Sequence, residues 1–180
     1  MTTTSSDIPD PAELIIRDAK QSEFPALAAL QIRSWRNVYR GILADDYLDN
    51  EIEQDLGDRW AALQPSGDDL VLVADQDGIV GFVTVWCKPH PYIDNLHVEP
   101  GGRSRGIGRR LMQAAADRLI QNGYDRVSLY VAAQNRRAAA FYRNLGGRFG
   151  DIERLHQEHG GDVEAIEVVW EGLAGLAAAD

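Results

Sequence analysis

The sequence predicts an α/β (α+β) domain with a mixed, mostly antiparallel, twisted sheet of roughly six to seven strands and about four helices. Runs that alternate apolar and polar residues are typical of strands, and they are interspersed with stretches of 3.6-residue periodicity, which are typical of amphipathic helices. The Asp77-Gly78 dipeptide between two β-branched runs predicts a hairpin. A strand, loop, helix and strand over 92–131 favour one parallel pair with a right-handed crossover.

The N-terminal part is predicted to contain most of the antiparallel strands. Residues 1–12 are polar, include two prolines and are expected to form a flexible arm. The following elements are predicted, in chain order: a strand at 13–19, a helix from Ser22 to Gly41, a second helix from Leu48 to Leu63, the hairpin within 69–87 and a strand at 92–98. Pro65 ends the second helix because proline cannot continue the backbone hydrogen bonding.

The C-terminal part is predicted to alternate helices and strands. Its elements are a helix of about four turns from Ile107 to Gly123, a strand at 126–131, a helix from Asn135 to Gly146, a strand at 164–170 and an Ala-rich tail at 173–180. Asn135 stands where its side chain would cap the second of these helices. Without repeats or linkers, 13–172 is expected to be a single domain.

Charge and cysteine content exclude several classes of function. The 180-residue chain carries 18 Lys and Arg against 28 Asp and Glu, a net charge of −10. A nonspecific nucleic-acid surface is therefore not expected, whereas a cationic substrate would be attracted. The single Cys87 cannot form an intrachain disulfide and has no partner for a structural zinc site. No stretch approaches the ~18 apolar residues of a membrane span. We expect a cytoplasmic protein with no membrane partner and no metal.

The stretch EPGGRSRGIGRRLMQ at 99–113 concentrates glycine and arginine in an acidic chain. Glycines between a strand and a helix allow close backbone approach to a phosphate, and the first amides of the helix favour an anion. The spacing matches neither the P-loop nor the dinucleotide-binding fingerprint. The stretch is therefore a candidate anion site, with an ordinary loop carrying solvated arginines as the alternative.

Two motifs resemble the GNAT superfamily of acetyl-CoA-dependent N-acetyltransferases. The run RSRGIG at 103–108 fits the pattern (Gln/Arg)-x-x-Gly-x-(Gly/Ala), and NRRAAAFYRNLG at 135–146 is similar to the second signature of the family. The resemblance covers roughly 13–170. One departure is that Gly147 and Arg148 intervene before Phe149, where members commonly have Gly followed directly by Phe. This departure leaves open the register of the next strand.

The resemblance implies a GNAT fold, with its central parallel pair splayed for acetyl-CoA. The amides of 103–108 would bind the CoA pyrophosphate, the backbone of Leu96 to Val98 would bind the pantetheine, and an amide near Val98 would polarise the thioester carbonyl. The cofactor-binding residues implied are Leu96, His97, Val98, Arg103, Ser104, Arg105, Gly106, Ile107, Gly108, Arg109, Asn135, Ala138 and Phe141.

Tyr142 occupies the position of the family's general acid, with a core aromatic as the alternative. The general base is chosen among Asp94, His97 and Glu99. We rank Asp94 first because many family members use an acidic residue on this strand. Strand alternation predicts that Asp94 faces away from Asn95 and His97.

Aromatic residues of the first two helices are expected to line or back the acceptor side, or to be plain helix core. They are Trp35, Trp60 and the region from Tyr39 to Tyr47. The resulting hypothesis is an N-acetyltransferase that moves an acetyl group from acetyl-CoA to a primary amine by direct attack. The alternative is a CoA-binding sensor or interaction module without turnover. The acceptor, a small molecule or a protein amine, stays open, as does a homodimer.

Overall fold

The computed structural model describes residues 13–102, 106–157 and 161–179. The expected arm at 1–12 lies outside them. Seven strands form one sheet in the order β1-β2-β3-β4-β5-β7-β6. The strands are β1 (Ile15–Asp18), β2 (Leu70–Asp75), β3 (Ile79–Trp86), β4 (Tyr92–Val98), β5 (Arg126–Ala132), β6 (Arg148–Gln157) and β7 (Gly161–Glu171). The helices are α1 (Phe24–Val38), α2 (Ile52–Ala62), α3 (Ile107–Gln121), α4 (Arg136–Asn144) and α5 (Ala174–Ala177).

The predicted mixed sheet is confirmed, and its antiparallel part begins with the predicted hairpin. β2 and β3 pair antiparallel, and the turn between them places Asp77 at φ 55° and Gly78 at φ 132°. Two consecutive positive φ angles match the right-handed twist of the flanking strands, which is why this dipeptide favours a hairpin. β4 then adds antiparallel to β3.

The parallel pair β4 and β5 is held at one register position. Tyr92 lies opposite Ser128, and no further partners are paired between these two strands in the described residues. On the other side of β4, Thr84 pairs with Asn95 and Val85 pairs with Ile93. Asp94 is therefore an extra residue in a β-bulge, and a bulge bends its strand. The predicted splaying of the central pair is confirmed.

Helices cover both faces of the sheet. On one face α3 contributes Leu111, Met112 and Leu119 to the main core, all fully buried. On the other face α1 and α2 pack against the sheet through Leu27 and Trp60. The amphipathic pattern of these helices follows from this packing, in which each helix layer buries one face against the sheet.

The C-terminal segment, expected as an Ala-rich tail, contains α5. Leu173 and Leu176 are 1% and 2% exposed and belong to the same core as α3. The sequence gives little sign of this contact. Most residues of the segment are small, and Leu173 and Leu176 are its two large apolar side chains.

Helix α4 is closed at both ends as predicted. The Asn135 side chain accepts a hydrogen bond from the Ala138 amide at 3.1 Å, and Gly146 follows the helix at φ 78°. The next residue, Gly147, has no room for a side chain, because a Cβ there would lie 2.5 Å from Cγ1 of Val168. The departure from the family pattern thus coincides with tight packing of α4 on β7 and with a register shift between Phe149 and Ile152.

Strand β1 is fastened to its surroundings by Arg17. The guanidinium donates to both carboxylate oxygens of Glu23, at 2.9 and 2.7 Å, and to Asp75 at 2.8 Å. Hydrogen bonding to Arg17 lowers the pKa of Glu23 to about 2 and also lowers that of Asp75. The edge strand, the start of α1 and the hairpin are therefore held by one cation.

Among the described residues, none of the helices combines the length and the apolar composition needed to cross a bilayer.

Candidate active site

A cavity of about 510 Å³ lies between the diverging strands β4 and β5. Residues of α1, β4, the start of α3, β5 and α4 line it. The lining includes every predicted site residue that the structure describes: Asp94, Leu96, His97, Val98, Gly106, Ile107, Gly108, Arg109, Asn135, Ala138, Phe141 and Tyr142. The predicted residues Arg103, Ser104 and Arg105 lie outside the described residues. The cavity therefore brings together predicted residues that are almost 50 positions apart in the chain, from Asp94 to Tyr142.

The start of α3 forms one wall of this cavity. Gly106 is the N-cap of α3 in the left-handed conformation, at φ 74°. Ile107 is buried beneath it, and a Cβ on Gly108 would lie 3.3 Å from Cζ of Phe141. The two glycines thus permit the sharp entry into α3 and its close approach to α4. The first amides of α3 and the positive end of the helix dipole favour an anion at this wall.

Two arginines add positive charge to the same wall. Arg109 was predicted, and Arg137, in the first turn of α4, was not. Arg137 could have been predicted from its position in the sequence, two residues after the expected cap Asn135. Two arginines and a helix N-terminus suit a phosphate-bearing ligand even though the chain as a whole is acidic.

Asp94 lies on the opposite wall, on the bulge of β4. Asn95 donates a hydrogen bond from Nδ2 to Oδ2 of Asp94 at 2.7 Å, and Asn95 and His97 line the same cavity. The prediction that Asp94 faces away from these two residues is wrong, because the extra residue of the bulge interrupts strict alternation.

The environment makes the carboxyl of Asp94 more basic than an ordinary aspartate. Part of the side chain is open to solvent, but protein atoms replace most of the surrounding water, and this desolvation raises its pKa. Hydrogen bonds from the Trp86 indole and from Asn95, together with the positive charge of Arg59, oppose the rise. A raised carboxyl pKa in a cleft is suited to accepting a proton.

The other two candidate bases are engaged by neighbours. His97 Nδ1 lies 3.0 Å from Oγ of Ser34, and His97 Nε2 lies 3.4 Å from Oδ1 of Asn95. Glu99 forms an ion pair with Arg33. Both side chains are therefore held by residues of α1.

Tyr142 is both a core residue and a cavity residue. It is 9% exposed and packs edge-on against Phe141 and Trp170. Burial raises its pKa, and electrostatic interaction with Tyr39 and Tyr92 adds to the rise. The phenol is therefore held in its protonated form, so it can donate a proton. Tyr142 is therefore placed both in the core and on the wall of the cavity.

Aromatic side chains of α1 and the sheet form the remaining wall. Trp35 and Tyr39 line the cavity with their ring centroids 5.2 Å apart, and Tyr130 faces them from β5. Trp60 instead packs between Phe24 and Phe82 in the layer behind. Of the aromatic residues expected on the acceptor side, some line the cavity and others are core.

Among the described residues, no group of three or more His, Cys, Asp and Glu side chains is arranged to hold a metal ion.

Comparison with known proteins places this architecture among acetyltransferases. A sequence model of the Acetyltransferase (GNAT) family matches residues 26–146. The chain is 27% identical over 129 residues to the uncharacterized N-acetyltransferase YuaI of Bacillus subtilis, covering 67% of this chain and 72% of that protein. It is 38% identical over 105 residues to the mycothiol acetyltransferase of Clavibacter sepedonicus, covering 55% of this chain and a third (33%) of that longer protein.

A solved structure shares the fold. The PaiA N-acetyltransferase from Thermoplasma acidophilum, in complex with coenzyme A, superposes with a TM-score of 0.69 at 23% identity, covering 86% of this chain and 98% of that one.

Proposed function

Because the chain belongs to the Acetyltransferase (GNAT) family of acetyl-transferring enzymes, we propose that it moves an acetyl group from acetyl-CoA to a primary amine by direct attack. The observation that carries this proposal is that one cavity brings together the start of α3, the part of β4 from which β5 diverges, Asp94 and Tyr142. In this proposal one space would supply a phosphate site, a thioester site, a base and an acid. The coenzyme A bound in the PaiA structure supports the choice of cofactor.

The proposed cofactor site uses mostly backbone. The first amides of α3 receive the pyrophosphate, with Arg109 and Arg137 beside it, and the pantetheine lies along Leu96 to Val98 like an added strand. Main-chain recognition of this kind requires small residues at the closest approach, which is the role of Gly106 and Gly108. Asn135, which caps α4, lines the same space.

The proposed chemistry needs a base and an acid. A primary amine with a pKa near ~10.4 is mostly ammonium at neutral pH, so Asp94 takes a proton, directly or through a water, before the nitrogen attacks the thioester carbon. The C–N bond forms, an amide near Val98 stabilises the oxyanion, and the C–S bond then breaks. Tyr142 donates its proton to the leaving thiolate. As the intermediate collapses, the attacking nitrogen loses its second proton, which reprotonates Tyr142 directly or through a water, and the proton on Asp94 returns to solvent, so charge and protons balance.

The aromatic wall and the acidic chain favour an acceptor amine that arrives as a cation. Trp35 and Tyr39 offer ring faces to an ammonium group, and the net charge of −10 attracts cations. Both a small-molecule amine and an amine on a protein satisfy these features.

A screen of acceptors tests the proposal. The thiol released from acetyl-CoA is measured in the presence of each member of a panel of small amines and of peptides with a free N-terminal amine. The acetylated product is identified by its mass. We expect thiol release that depends on one class of amine. Tight binding of acetyl-CoA with no amine-dependent release across the panel would instead favour the sensor or interaction module.

A further inference from the structure

A chain of hydrogen bonds runs from the interior of the protein to Asp94. Trp60 Nε1 donates to Gln31 Oε1 at 2.7 Å, and Gln31 Nε2 donates to Asn95 Oδ1 at 2.7 Å. Asn95 Nδ2 then donates to Asp94 Oδ2 at 2.7 Å. Gln31 is 4% exposed and lies on the apolar side of α1, among Leu27, Ala28 and Leu30. A buried amide at this place has a specific geometry to maintain.

The direction of the chain is fixed at its buried end. An indole nitrogen can only donate, so the atom of Gln31 that faces Trp60 must be the carbonyl oxygen. The amide nitrogen of Gln31 then faces Asn95, whose oxygen must accept. Asn95 is thereby obliged to present its own nitrogen to Asp94. The Trp60 indole, which can only donate, therefore fixes the orientation of the side-chain amides of Gln31 and Asn95. By shape alone, the oxygen and nitrogen of each amide could be exchanged.

The remaining hydrogen-bonding capacity of Asn95 is consistent with this orientation. Its Nδ2 also donates to Oγ1 of the fully buried Thr84 at 3.1 Å. Its Oδ1 also faces Nε2 of His97 at 3.4 Å. An amide flipped by 180° would place its oxygen against the Asp94 carboxylate and its nitrogen against the donating amide of Gln31, so both contacts would become repulsive.

We propose that Gln31 is a positioning residue for the base: through Asn95 it keeps a hydrogen-bond donor on the Asp94 carboxylate and fixes the direction in which that carboxylate faces the acceptor. The proposal rests on the role of Asp94 in the proposed function. Gln31 does not touch the acceptor or the cofactor, since it acts through Asn95. Its effect is to favour the ionised form of Asp94, because a hydrogen bond donated to a carboxylate stabilises the charge.

The other groups that face Asp94 leave this contribution separable. The Trp86 indole donates to the carboxylate from β3, Arg59 of α2 contributes positive charge, and Tyr92 on the same strand interacts electrostatically with Asp94. His97 is linked to Asp94 through Asn95. Gln31 is neutral, so its replacement by an apolar side chain removes its hydrogen bonds to Trp60 and Asn95 and changes no charge.

The test is the substitution Gln31→Met, which keeps the length of the side chain and removes both its polar atoms. The pKa of Asp94 is measured in the cofactor-free protein by carboxylate ¹³C NMR, and the pH dependence of kcat/KM and the affinity for acetyl-CoA are measured in parallel. We expect the Asp94 pKa to rise by about one unit, with about tenfold lower kcat/KM on the acidic side of the profile. At high pH the two enzymes should approach each other, and the affinity for acetyl-CoA should be unchanged.

Two further variants keep the test decisive. Gln113→Met removes a glutamine hydrogen bond to the Ala179 carbonyl on the far side of α3 and should leave the Asp94 pKa unchanged. Trp60→Phe keeps an aromatic ring between Phe24 and Phe82, removes the directing N–H together with part of the buried indole, and should give a smaller rise of the Asp94 pKa than Gln31→Met. It also serves if Gln31→Met fails to fold.

The outcomes separate this inference from the proposed function. An unchanged Asp94 pKa in both Gln31→Met and Trp60→Phe overturns the positioning role. A raised pKa in the free protein without any change in the pH profile supports the hydrogen-bond chain but removes Asp94 as the base.

Discussion

The ring of Tyr142 packs edge-on against the indole of Trp170, with ring centroids 5.9 Å apart and an interplanar angle of 79°. The same ring contacts Phe141 at 5.2 Å. Its position is thus set by aromatic packing, which does not depend on the hydroxyl group. The hydroxyl can therefore be removed without moving the ring.

Tyr142→Phe is expected to lower kcat by 10²–10⁴-fold, the usual contribution of a positioned proton donor. The dissociation constant of acetyl-CoA should stay nearly the same, because the ring that lines the cavity is retained. Steady-state kinetics with one accepted amine and calorimetric titration of acetyl-CoA measure the two quantities. Tyr124→Phe is the matched control, because it removes a hydroxyl that donates to Asp68 on the surface. Turnover of Tyr142→Phe within a factor of about two of wild type would return the residue to a purely structural role.

Gly106→Val is expected to weaken binding of acetyl-CoA by at least about tenfold, since the side chain would stand where the pyrophosphate approaches the amides of α3. Gly123→Val is a matched control at the other end of the same helix. Both glycines have a positive φ, 74° and 85°, and in the described part of the chain no atom lies within 4 Å of the place that a Cβ would take at either of them. The two variants should lose similar stability, and equal affinity in both would contradict the anion site at α3.

Asp94→Asn is expected to lower kcat/KM by about 10²–10⁴-fold at neutral pH. In the wild type, desolvation raises the Asp94 pKa, so activity should fall as the pH drops through a value above the ordinary range of an aspartate. The variant should lose this acidic limb and keep only the ionisation of the amine. A full pH profile of both proteins with the same acceptor decides the point, and an unchanged limb in Asp94→Asn would assign the base elsewhere.

Arg17→Met is expected to destabilise the fold by about 1–3 kcal/mol at neutral pH, because Glu23 and Asp75 lose charge-assisted hydrogen bonds. The pKa of Glu23 is lowered from 4.5 to about 2, so its contribution is complete above its ordinary pKa and is lost as the pH falls through about 2. Denaturant unfolding from pH 7 to 2 should show the two proteins converging at acidic pH.

Arg118→Met supplies the comparison for that experiment. It breaks an exposed ion pair with Asp18 at 3.0 Å, where both side chains are largely solvated. An exposed pair contributes about 0–1 kcal/mol. Equal losses in the two variants would show that Arg17 is no more than a surface charge.

The fold was predictable where local signals and tertiary packing agree. Alternation and 3.6-residue periodicity identified the strands and helices, the Asp77-Gly78 turn adopts the positive φ angles that favour a hairpin, and Asn135 caps α4 as expected. These features depend on neighbours in the chain, so a single sequence contains them.

The arrangement around Asp94 was not predictable for a physical reason. The bulge results from the register of β3 against β4, which only the paired strands determine. Gln31 falls on the apolar stripe of α1, and this polar residue among apolar ones was the available signal, but its partners Trp60 and Asn95 are 29 and 64 positions away.

The single register position between β4 and β5 divides the backbone hydrogen bonding of the sheet into two blocks, β1 to β4 and β5 to β7. The side chains beneath α3 come from both blocks. The hydrophobic core therefore connects the two blocks, although few backbone hydrogen bonds do. Amide hydrogen exchange should therefore report two cooperative opening units with different free energies. A ligand seated between the strands stabilises both units by mass action, so saturating acetyl-CoA should merge the two exchange classes into one.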